Sequence, residues 1–360
     1  MNILVFIDQY SRGGAARVTS TMLKGLCDQG YHVTLATNII TDKIGYPLDS
    51  RVKVISFYGG KSNNKIESLI KYNRLIAAAH RCIKQTKPNV IITVMHGTYL
   101  FVRIASWFSN IPLIAVDHTS FSRKISWWED WVRHSFYKYA DTLSILTKKD
   151  ESLLGEKFPN KVVIYNPLSF PILDKETQRK KNILVAGRLS YWKVKGIDRI
   201  IEIWNKLSNS YPDWTLEIAG DGDEKSIAYL KELASNNNSI VFLGQLSDMK
   251  TKLSETSIFA LPSRIEGFPM VLMEAMSQGC ACVTFSLGGA CNEMLTDNHS
   301  GLIVKDDSLE DFHNSLKRLL DDSALRKELS KNAINESKRF STDKFNSKWD
   351  CIIKKYINNK

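Results

Sequence analysis

Two glutamates that lie eight positions apart are the residues of this sequence best placed to bind a polar ligand. Glu266 follows the apolar segment 257–261, and Glu274 comes eight residues later. Pro269 favours the first turn of a helix and Gly279 favours its end, so we expect Glu266 in the loop before a helix and Glu274 about two turns into it. Carboxylates can bind sugar and ribose hydroxyls while the helix N-terminus holds a diphosphate. The alternative is that both glutamates are ordinary surface carboxylates that stabilise the helix dipole and bind no ligand.

Two cations are expected near the same helix. Gly187-Arg188 ends a predicted strand and Lys195-Gly196 opens the next predicted helix. Arginine and lysine at these positions can neutralise a diphosphate without a metal ion. An ordinary exposed loop rich in lysine would have the same sequence pattern. Lys193 is an alternative to Lys195, which we prefer because it directly precedes the helix-opening glycine.

Glycines recur where predicted strands end. Gly13 and Gly14 follow the strand 2–7, and Gly220 follows the strand 214–219. Ligands of open α/β sheets bind at the carboxyl ends of strands, so the recurrence favours one ligand cleft over ordinary turns. No GxGxxG follows the first strand, which argues against an NAD-dependent oxidoreductase.

The apolar runs alternate with helical stretches in two series. This alternation predicts two Rossmann-like, doubly wound α/β domains: an N-terminal domain at 1–168, a C-terminal domain at 182–340 after a polar linker, and an amphipathic helix at 341–360. The predicted strands are 2–7, 32–37, 52–57, 90–95, 112–116 and 142–147 in the first series, and 183–186, 214–219, 240–243, 257–261, 281–285 and 302–304 in the second.

Composition excludes several classes of protein. The 360 residues are 43% hydrophobic and 24% charged, which suits two globular domains rather than a disordered chain. The six cysteines include no CxxC pair, so we expect neither a disulfide scaffold nor a metal site. The first residues indicate a core strand rather than a signal peptide, and no apolar run is long enough to span a bilayer. We therefore expect a cytoplasmic protein that is soluble or peripheral.

The positive charge is concentrated in the first half. Residues 1–170 contain 22 Lys and Arg against 12 Asp and Glu, whereas residues 171–360 contain 27 against 26. The stretch 64–84 predicts a basic amphipathic helix, with apolar residues mostly on one face and cations opposite; the cations are Lys71, Arg74, Arg81 and Lys84. Three interpretations remain open: the basic surface faces an anionic membrane, it only keeps the protein in solution, or the segment is an ordinary helix packed on the sheet. No nucleic-acid-binding motif is present.

Together these motifs resemble glycosyltransferase family four, the large family of retaining GT-B enzymes. The order of the motifs along nearly the whole chain is that family's order. One departure is Ala16, where the family often has glutamate. The resemblance implies a GT-B fold, in which two Rossmann-like domains face each other across a cleft and the C-terminal helix packs back on the N-terminal domain. His118 in Val116-Asp117-His118-Thr119 matches the histidine near the anomeric centre, although a capping or core histidine is the alternative.

The resemblance also implies the roles of the other residues. Arg188 and Lys195 would bind the donor diphosphate, Glu266 the 3- and 4-hydroxyls of the sugar, and Glu274 the ribose. The remaining donor-binding residues would be Gly13, Gly14, Gly220, Gly267, Phe268, Pro269, Met270 and Val271.

The implied reaction is retaining transfer of a hexose or N-acetylhexosamine. The donor would be UDP-linked, with GDP-mannose as runner-up, and the acceptor would be a glycan or polyprenyl-diphosphate-linked glycan of a bacterial surface pathway. No cofactor or metal is expected. A GT-B nucleotide-sugar epimerase and a non-catalytic nucleotide-sugar-binding protein are the alternatives.

Overall fold

The contacts within the chain divide it into two units. The computed structural model describes residues 1–10, 13–38, 46–57, 65–121, 125–175 and 177–358. Unit 1 consists of residues 1–167 together with 342–360, and unit 2 consists of residues 168–341. The chain therefore leaves unit 1 at Pro167 and returns to it at Thr342. The polar segment 174–182 falls within unit 2.

Unit 1 is built on a parallel sheet whose described strands run in the order β3-β2-β1-β4-β5-β6-β7. Nearly every residue of β1 and all of β4, β5 and β6 are buried, as expected for strands covered on both faces. The strands are β1 (Asn2–Ile7), β2 (His32–Thr37), β3 (Lys53–Ser56), β4 (Val90–Val94), β5 (Leu113–Val116), β6 (Thr142–Ile145) and β7 (Lys161–Val163). The sequence reasoning found all of them except β7, the short edge strand.

Helices connect these strands and close the core of unit 1. They are α1 (Gly14–Asp28), α2 (Lys65–Thr86), α3 (His96–Ala105), α4 (Trp127–Phe136) and α5 (Lys148–Leu154). The apolar face of α2 belongs to the core: Leu75, Ala79 and Ile83 pack in one cluster with Leu4 and Phe6 of β1. The burial of this face supports the reading of α2 as a helix packed on the sheet.

Unit 2 contains a second parallel sheet, in the order β10-β9-β8-β11-β12-β13. Its strands are β8 (Lys180–Ala186), β9 (Thr215–Ala219), β10 (Ile240–Gly244), β11 (Thr256–Leu261), β12 (Ala281–Phe285) and β13 (Leu302–Val304). Its helices are α6 (Trp192–Lys195), α7 (Ile197–Leu207), α8 (Glu224–Leu233), α9 (Met249–Ser254), α10 (Met270–Ser277), α11 (Leu309–Asp321) and α12 (Ser323–Ser337). The two sheets confirm the predicted Rossmann-like architecture.

The last helix, α13 (Thr342–Asn358), belongs to unit 1 and packs on α1. Phe345, Trp349 and Ile353 are at most 5% exposed. Gly25 of α1 allows the close approach, because a Cβ there would lie 2.2 Å from the Asn346 side chain. The amphipathic pattern of this segment is thus explained by burial against unit 1.

Each sheet has one point where the strand order reverses direction. In unit 1 the chain proceeds outward from β1 through β2 to β3, and from β4 through β5 to β7 on the other side. In unit 2 the corresponding neighbours are β8 and β11. The connections at such a switch point lead to opposite sides and leave a crevice at the carboxyl ends of the two strands. Ligand sites are therefore expected after β1 and β4, and after β8 and β11.

No helix among the described residues combines the length and apolarity needed to cross a bilayer.

Candidate functional site

The loops after β8, β9 and β11 touch one another so closely that two glycines are required. Gly196 has φ +66°, and a Cβ there would lie 1.9 Å from the carbonyl oxygen of Pro262. Gly220 has φ +145°, and its Cβ would lie 1.8 Å from the carbonyl oxygen of Gly187. A side chain at either position would clash with the backbone and strain φ. The loops therefore meet at the switch point of unit 2.

The contact brings the side chains of Lys195 and Glu266 together. Lys195 Nζ donates to Glu266 Oε1 at 2.7 Å, and Ser263 Oγ donates to the same oxygen at 2.9 Å. The side chains of Lys195 and Glu266 are 28% and 13% exposed. Arg188 lies at the end of β8 in the adjoining loop and is exposed, with its guanidinium 5.7 Å from the Tyr191 ring centre. Together with Glu274, these three residues form what we call the unit 2 site.

The geometry distinguishes the two candidate lysines. Lys195 is the last residue of α6, and Gly196 is the N-cap of α7. Lys193 is exposed, and its backbone carbonyl accepts a hydrogen bond from Arg264. Lys195 alone of the two has a described contact with Glu266, which supports assigning it rather than Lys193 to the site.

Arg264, which the sequence reasoning missed, fixes this arrangement. Its guanidinium donates two hydrogen bonds to Asp198, at 2.8 and 2.7 Å, and its backbone N–H donates to the Val194 carbonyl at 2.8 Å. Hydrogen bonding to Asp198 raises the pKa of Arg264. Bidentate pairs of this kind set orientation as well as distance, so Arg264 holds the α6–α7 turn against the loop that carries Glu266.

Helix α10 begins later than predicted. Pro269 is its N-cap, and the first helical residue is Met270. Proline has φ fixed near the helical value but no N–H, so either position suits it. Glu274 consequently lies just beyond the first turn rather than two turns into the helix. It is 4% exposed, and its carboxylate accepts a hydrogen bond from Ser169.

The remaining predicted donor-binding residues surround the start of α10. Gly267 and Val271 are half-buried, and Phe268 packs edge-on against Phe340 at 5.8 Å. The N–H groups of the first helical residues, Met270 and Val271, have no acceptor within the helix and make the N-terminus an anion-binding position.

Gly13 and Gly14 occupy a different place, after β1 of unit 1. Gly13 is the N-cap of α1 and Gly14 its first residue, and both are exposed. A Cβ at Gly13 would meet no atom within 4 Å. The described chain therefore gives no packing reason for this glycine, in contrast to Gly220.

His118 follows β5 of unit 1 and borders a small internal cavity lined also by Asn166 and Trp349. Its Nδ1, the Asn166 Oδ1 and the Trp349 Nε1 are buried without a hydrogen-bond partner among the described residues. Burial lowers the pKa of His118 to about 4, although the Asp117 charge and Asn166 act in the opposite direction. The imidazole is therefore neutral near pH 7.

A buried polar network, also missed, holds the His118 loop. Arg133 Nε donates to Asp117 Oδ2 at 2.9 Å, with both side chains fully buried. Arg133 also donates to the carbonyls of Thr119 and Ser120, at 2.6 and 3.4 Å. Asp150 accepts from Ser120 Oγ at 2.9 Å. Because so many polar atoms of this network are hydrogen-bonded, the loop is held rigid. The position of His118 is thereby fixed.

The four predicted membrane-facing cations of α2 fall into two groups. Lys71 is half-buried and lines a cavity near the end of β1. Arg74, Arg81 and Lys84 are exposed, and the first two border a groove between α2 and α3. Leu75, Ala79 and Ile83 of α2 are buried in unit 1, whereas the exposed cations Arg74, Arg81 and Lys84 are available to a partner.

The low pKa of His118 predicts an acid dependence of stability. Between pH 6.5 and about 4 the unfolded chain binds a proton at this histidine and the folded chain does not, so stability falls as pH falls through that window, by at most about 3 kcal/mol. We expect His118→Gln to flatten the dependence, as measured by urea unfolding followed by tryptophan fluorescence. His32→Gln, which changes an exposed histidine of β2, should follow the wild type. If the free energy of unfolding depended on pH in the same way for the wild type and His118→Gln, the low pKa of His118 would be contradicted.

Comparison with protein families gives a match over each part of the chain. The model described as "Glycosyltransferase Family 4" matches residues 12–169, and the model described as "Glycosyl transferases group 1" matches residues 172–336. An uncharacterized glycosyltransferase of Haemophilus influenzae is 26% identical over 95% of this chain and 97% of its own. The N-acetyl-D-galactosaminyltransferase of Campylobacter jejuni, whose name specifies a diNAcBac-PP-undecaprenol glycan, is 26% identical over 98% of both.

Solved structures share the fold at lower identity. Sucrose-phosphate synthase from Thermosynechococcus elongatus superposes with a TM-score of 0.82 at 16% identity over 100% of both chains. HepE from Anabaena, solved in complex with UDP, gives 0.79 at 18% identity over 99% of this chain and 100% of its own. With matches to both halves and relatives that span nearly the whole sequence, this chain belongs to glycosyltransferase family four and has the GT-B fold.

Proposed function

We propose that this glycosyltransferase moves a hexose or N-acetylhexosamine from a nucleotide sugar to a glycan acceptor with retention of configuration. The observation that carries the proposal is the contact of Lys195 with Glu266, which lies four residues before the first helical residue of α10. A cation for the leaving diphosphate and a carboxylate for the sugar thus lie side by side. Unit 2 binds the donor and unit 1 the acceptor.

The positive groups of unit 2 stabilise the charge that builds on the leaving diphosphate. Arg188, Lys195 and the α10 N-terminus supply that stabilisation, and lost contacts of this kind typically cost several kcal/mol. Glu266 then accepts hydrogen bonds from the 3- and 4-hydroxyls of the sugar, and Glu274 from the ribose. Backbone N–H groups from Gly267 to Val271 complete the donor pocket.

The proposed retention rests on the family, and the way Glu266 is held favours front-face attack over a covalent intermediate on this residue. Its Oε1 is bound by both Lys195 and Ser263, so the carboxylate suits hydroxyl binding better than attack on the anomeric carbon. The acceptor hydroxyl enters on the face from which the diphosphate departs. A diphosphate oxygen takes the hydroxyl proton as the new C–O bond forms and the old one breaks. His118, neutral at pH 7, lies near the anomeric centre and hydrogen-bonds a hydroxyl there.

The donor we favour is UDP-linked, because HepE shares the fold and was solved with UDP. GDP-mannose is the runner-up. The acceptor we favour is a polyprenyl-diphosphate-linked glycan of a bacterial surface pathway, since the Campylobacter relative is named for such a substrate.

A lipid-linked acceptor places the enzyme at the cytoplasmic face of a membrane, and unit 1 offers a surface suited to an anionic bilayer. Arg74, Arg81 and Lys84 share the outer face of α2. Close by in the chain after α3, Phe108 is 99% exposed and Trp107 is 45% exposed. Aromatic rings of this kind insert at headgroup depth while the cations attract anionic lipids.

Substitutions in the unit 2 site test the donor assignment. We expect Arg188→Ala, Lys195→Ala and Glu266→Ala each to lower kcat by at least about tenfold, because each removes a contact that strengthens in the transition state. Glu274→Gln should mainly raise the donor KM, since a ribose contact is made equally in ground and transition states. Rates come from mass spectrometry of the wild type and variants with a panel of nucleotide sugars and glycan acceptors.

Lys193→Ala is the matched comparison for Lys195→Ala. A larger loss of kcat with Lys193→Ala than with Lys195→Ala would show that Lys193, and not Lys195, binds the diphosphate. Near-wild-type turnover of Arg188→Ala would contradict the assignment of Arg188 to the diphosphate. Epimerised donor formed without acceptor would identify an epimerase instead, and donor binding without any turnover would identify a binding protein.

Metal independence is a separate expectation. Since two cations and a helix N-terminus oppose the diphosphate, we expect transfer to persist at an unchanged rate in excess EDTA. The measurement compares initial rates with EDTA, with Mg²⁺ and with Mn²⁺. Complete loss in EDTA that either ion restores would show that a metal neutralises the diphosphate.

Vesicle binding tests the membrane surface. Co-sedimentation with vesicles of phosphatidylcholine and phosphatidylglycerol should be strong at low salt and should weaken as salt screens the cations. Each lysine or arginine near the bilayer contributes about 1 kcal/mol, so replacing Arg74, Arg81 and Lys84 together by alanine should reduce binding by about 100-fold. The same replacement at three exposed lysines of unit 2, Lys206, Lys231 and Lys250, serves as control. Equal binding to pure phosphatidylcholine would contradict the proposal.

A further inference from the structure

Unit 2 contains another pocket, at the opposite end of its sheet from the donor residues. It has a volume of about 650 Å³ and is lined by the segment 173–181, by the start of β11 and by α12. Arg179 precedes β8 at its amino end, whereas Arg188 follows the carboxyl end of the same strand. The strand has seven residues, which at about 3.3 Å per residue places the pocket about 20 Å from the donor site. We call it the β8–α12 pocket.

The lining of this pocket is strongly basic. Among the described residues it contains one carboxylate, Asp174, and six cations, which are Lys175, Arg179, Lys181, Arg326, Lys327 and Lys331. Two further carboxylates act on these cations: Asp213 pairs with Lys181 at 3.1 Å, and the charge of Asp322 acts on Arg326. Six cations against three carboxylates leave an excess of three positive charges. Such an excess attracts anions that carry more than one charge.

The half-buried guanidinium of Arg179 is held by backbone carbonyls. Its Nη1 donates to the Thr256 carbonyl at 2.6 Å, and its Nη2 donates to the Gln278 carbonyl at 2.7 Å. Gly279 makes room for it, because a Cβ there would lie 2.7 Å from Nη2. Neutral carbonyls fix the position of a guanidinium without cancelling its charge, and a guanidinium has five N–H donors. Arg179 therefore keeps both charge and donors for an anion.

Arg326 is held in the same way. Its Nη1 donates to the carbonyls of Leu319 and Leu320, at 2.5 and 3.1 Å, in the last turn of α11. The guanidinium also lies 5.1 Å from the centre of the Trp214 ring. Burial lowers the pKa of Arg326, although the Asp322 charge opposes this. The charged guanidinium has thus lost hydration that an anion in the pocket can replace.

Two exposed lysines add charge from different parts of the chain. Lys175 belongs to the segment 173–181 and Lys331 to α12. Arginines in fixed positions provide directional hydrogen bonds to phosphate oxygens, and lysines act as point charges on flexible stems. The combination is suited to an anion with several phosphate oxygens.

The shape of the pocket favours a small anion over a bilayer surface. Its volume is in the range of small-molecule sites, and both arginines are half-buried. The apolar lining residues Leu173 and Ile334 are half-buried as well, in contrast to the fully exposed Phe108 of the proposed membrane surface. A free ligand can enter such a pocket, whereas a headgroup that stays in its bilayer needs an exposed, projecting surface.

We propose that the β8–α12 pocket is a second anion-binding site of this chain, separate from the donor site, for a small molecule that carries two or more phosphate charges. Inorganic diphosphate is the simplest ligand of this class. Arg179 and Arg326 bind the phosphate oxygens, and Lys175 and Lys331 contribute further charge. The ligand joins the segment 173–181 to α12, so its binding raises the melting temperature of the protein.

Calorimetry with sodium diphosphate tests the site. The titrations use the full-length protein with Arg188→Ala and Lys195→Ala, since these changes weaken diphosphate binding at the donor site. We expect binding of one diphosphate that weakens as salt is added. Adding Lys175→Gln and Lys331→Gln should weaken it by about tenfold, the scale of two lost ion pairs.

The control pair is Lys206→Gln with Lys231→Gln, which removes two other exposed lysines of unit 2 and should leave diphosphate binding unchanged. Because Lys175 and Lys331 are exposed, their replacement should not lower the melting temperature measured without diphosphate. An equal loss of binding with both pairs would show that only the overall charge matters and would overturn the proposal.

Trp214 provides a local signal. In protein labelled with 5-fluorotryptophan, the ¹⁹F resonance that Trp214→Phe removes should shift when diphosphate is added, because this ring lies beside Arg326. Heat of binding without a shift of that resonance would place the anion elsewhere and overturn the proposal. Binding that disappears with Arg188→Ala and Lys195→Ala would do the same, as would no binding to any of the proteins.

Vesicles distinguish a lipid headgroup from a free anion. Co-sedimentation with vesicles of phosphatidylcholine and phosphatidylglycerol should be the same with and without Lys175→Gln and Lys331→Gln. If these changes reduced vesicle binding while free diphosphate did not bind, the pocket would be a headgroup site and the proposed free ligand would be wrong.

Discussion

The unit 2 site depends on how closely three backbone segments approach one another. Gly196 lies against the Pro262 carbonyl and Gly220 against the Gly187 carbonyl, at distances that exclude any Cβ. This contact sets the separation of the loops after β8 and β11, and Arg264 then fixes their orientation by its paired hydrogen bonds to Asp198. Lys195 reaches Glu266 because the backbone on either side is already in place. An ion pair at a half-buried surface contributes little to stability by itself, so its geometry follows from the packing beneath it.

Much of the fold could be predicted because parallel sheets leave a strong signal in sequence. Strands buried on both faces are continuous apolar runs, and apolar, β-branched segments marked every described strand but β7, including the less buried β3 and β10. That strand has three residues, is only half-buried and lies at the sheet edge, so neither length nor apolarity distinguishes it. The start of α10 was misplaced for another reason. Proline is compatible with both the cap and the first turn, and only the backbone angles of Pro269 decide between them.

The candidate site was predictable where its residues are close in sequence or at strand ends. Lys195 and Glu266 each stand next to a glycine or proline that marks a turn, and each follows a recognisable strand. The residues that hold them in place carry no such mark. Arg264 and Asp198 are 66 positions apart, and Arg133 and Asp117 are 16 apart. A buried ion pair such as the latter is costly to form and costly to break, yet in sequence its members look like ordinary surface charges.

The site residues of unit 2 and the residues around His118 in unit 1 differ in charge, and this difference bears on the proposed transfer reaction. The described site residues of unit 2 include exposed or half-buried cations, Arg188 and Lys195. In unit 1 the Arg133 charge is buried against Asp117, and burial keeps His118 uncharged near pH 7. A neutral imidazole adds no positive charge to offset that of a developing diphosphate, but it can donate a hydrogen bond to a hydroxyl or accept one from it. In the proposed reaction, stabilising the transition-state charge is therefore assigned to unit 2. We assign the orientation of neutral hydroxyls to unit 1.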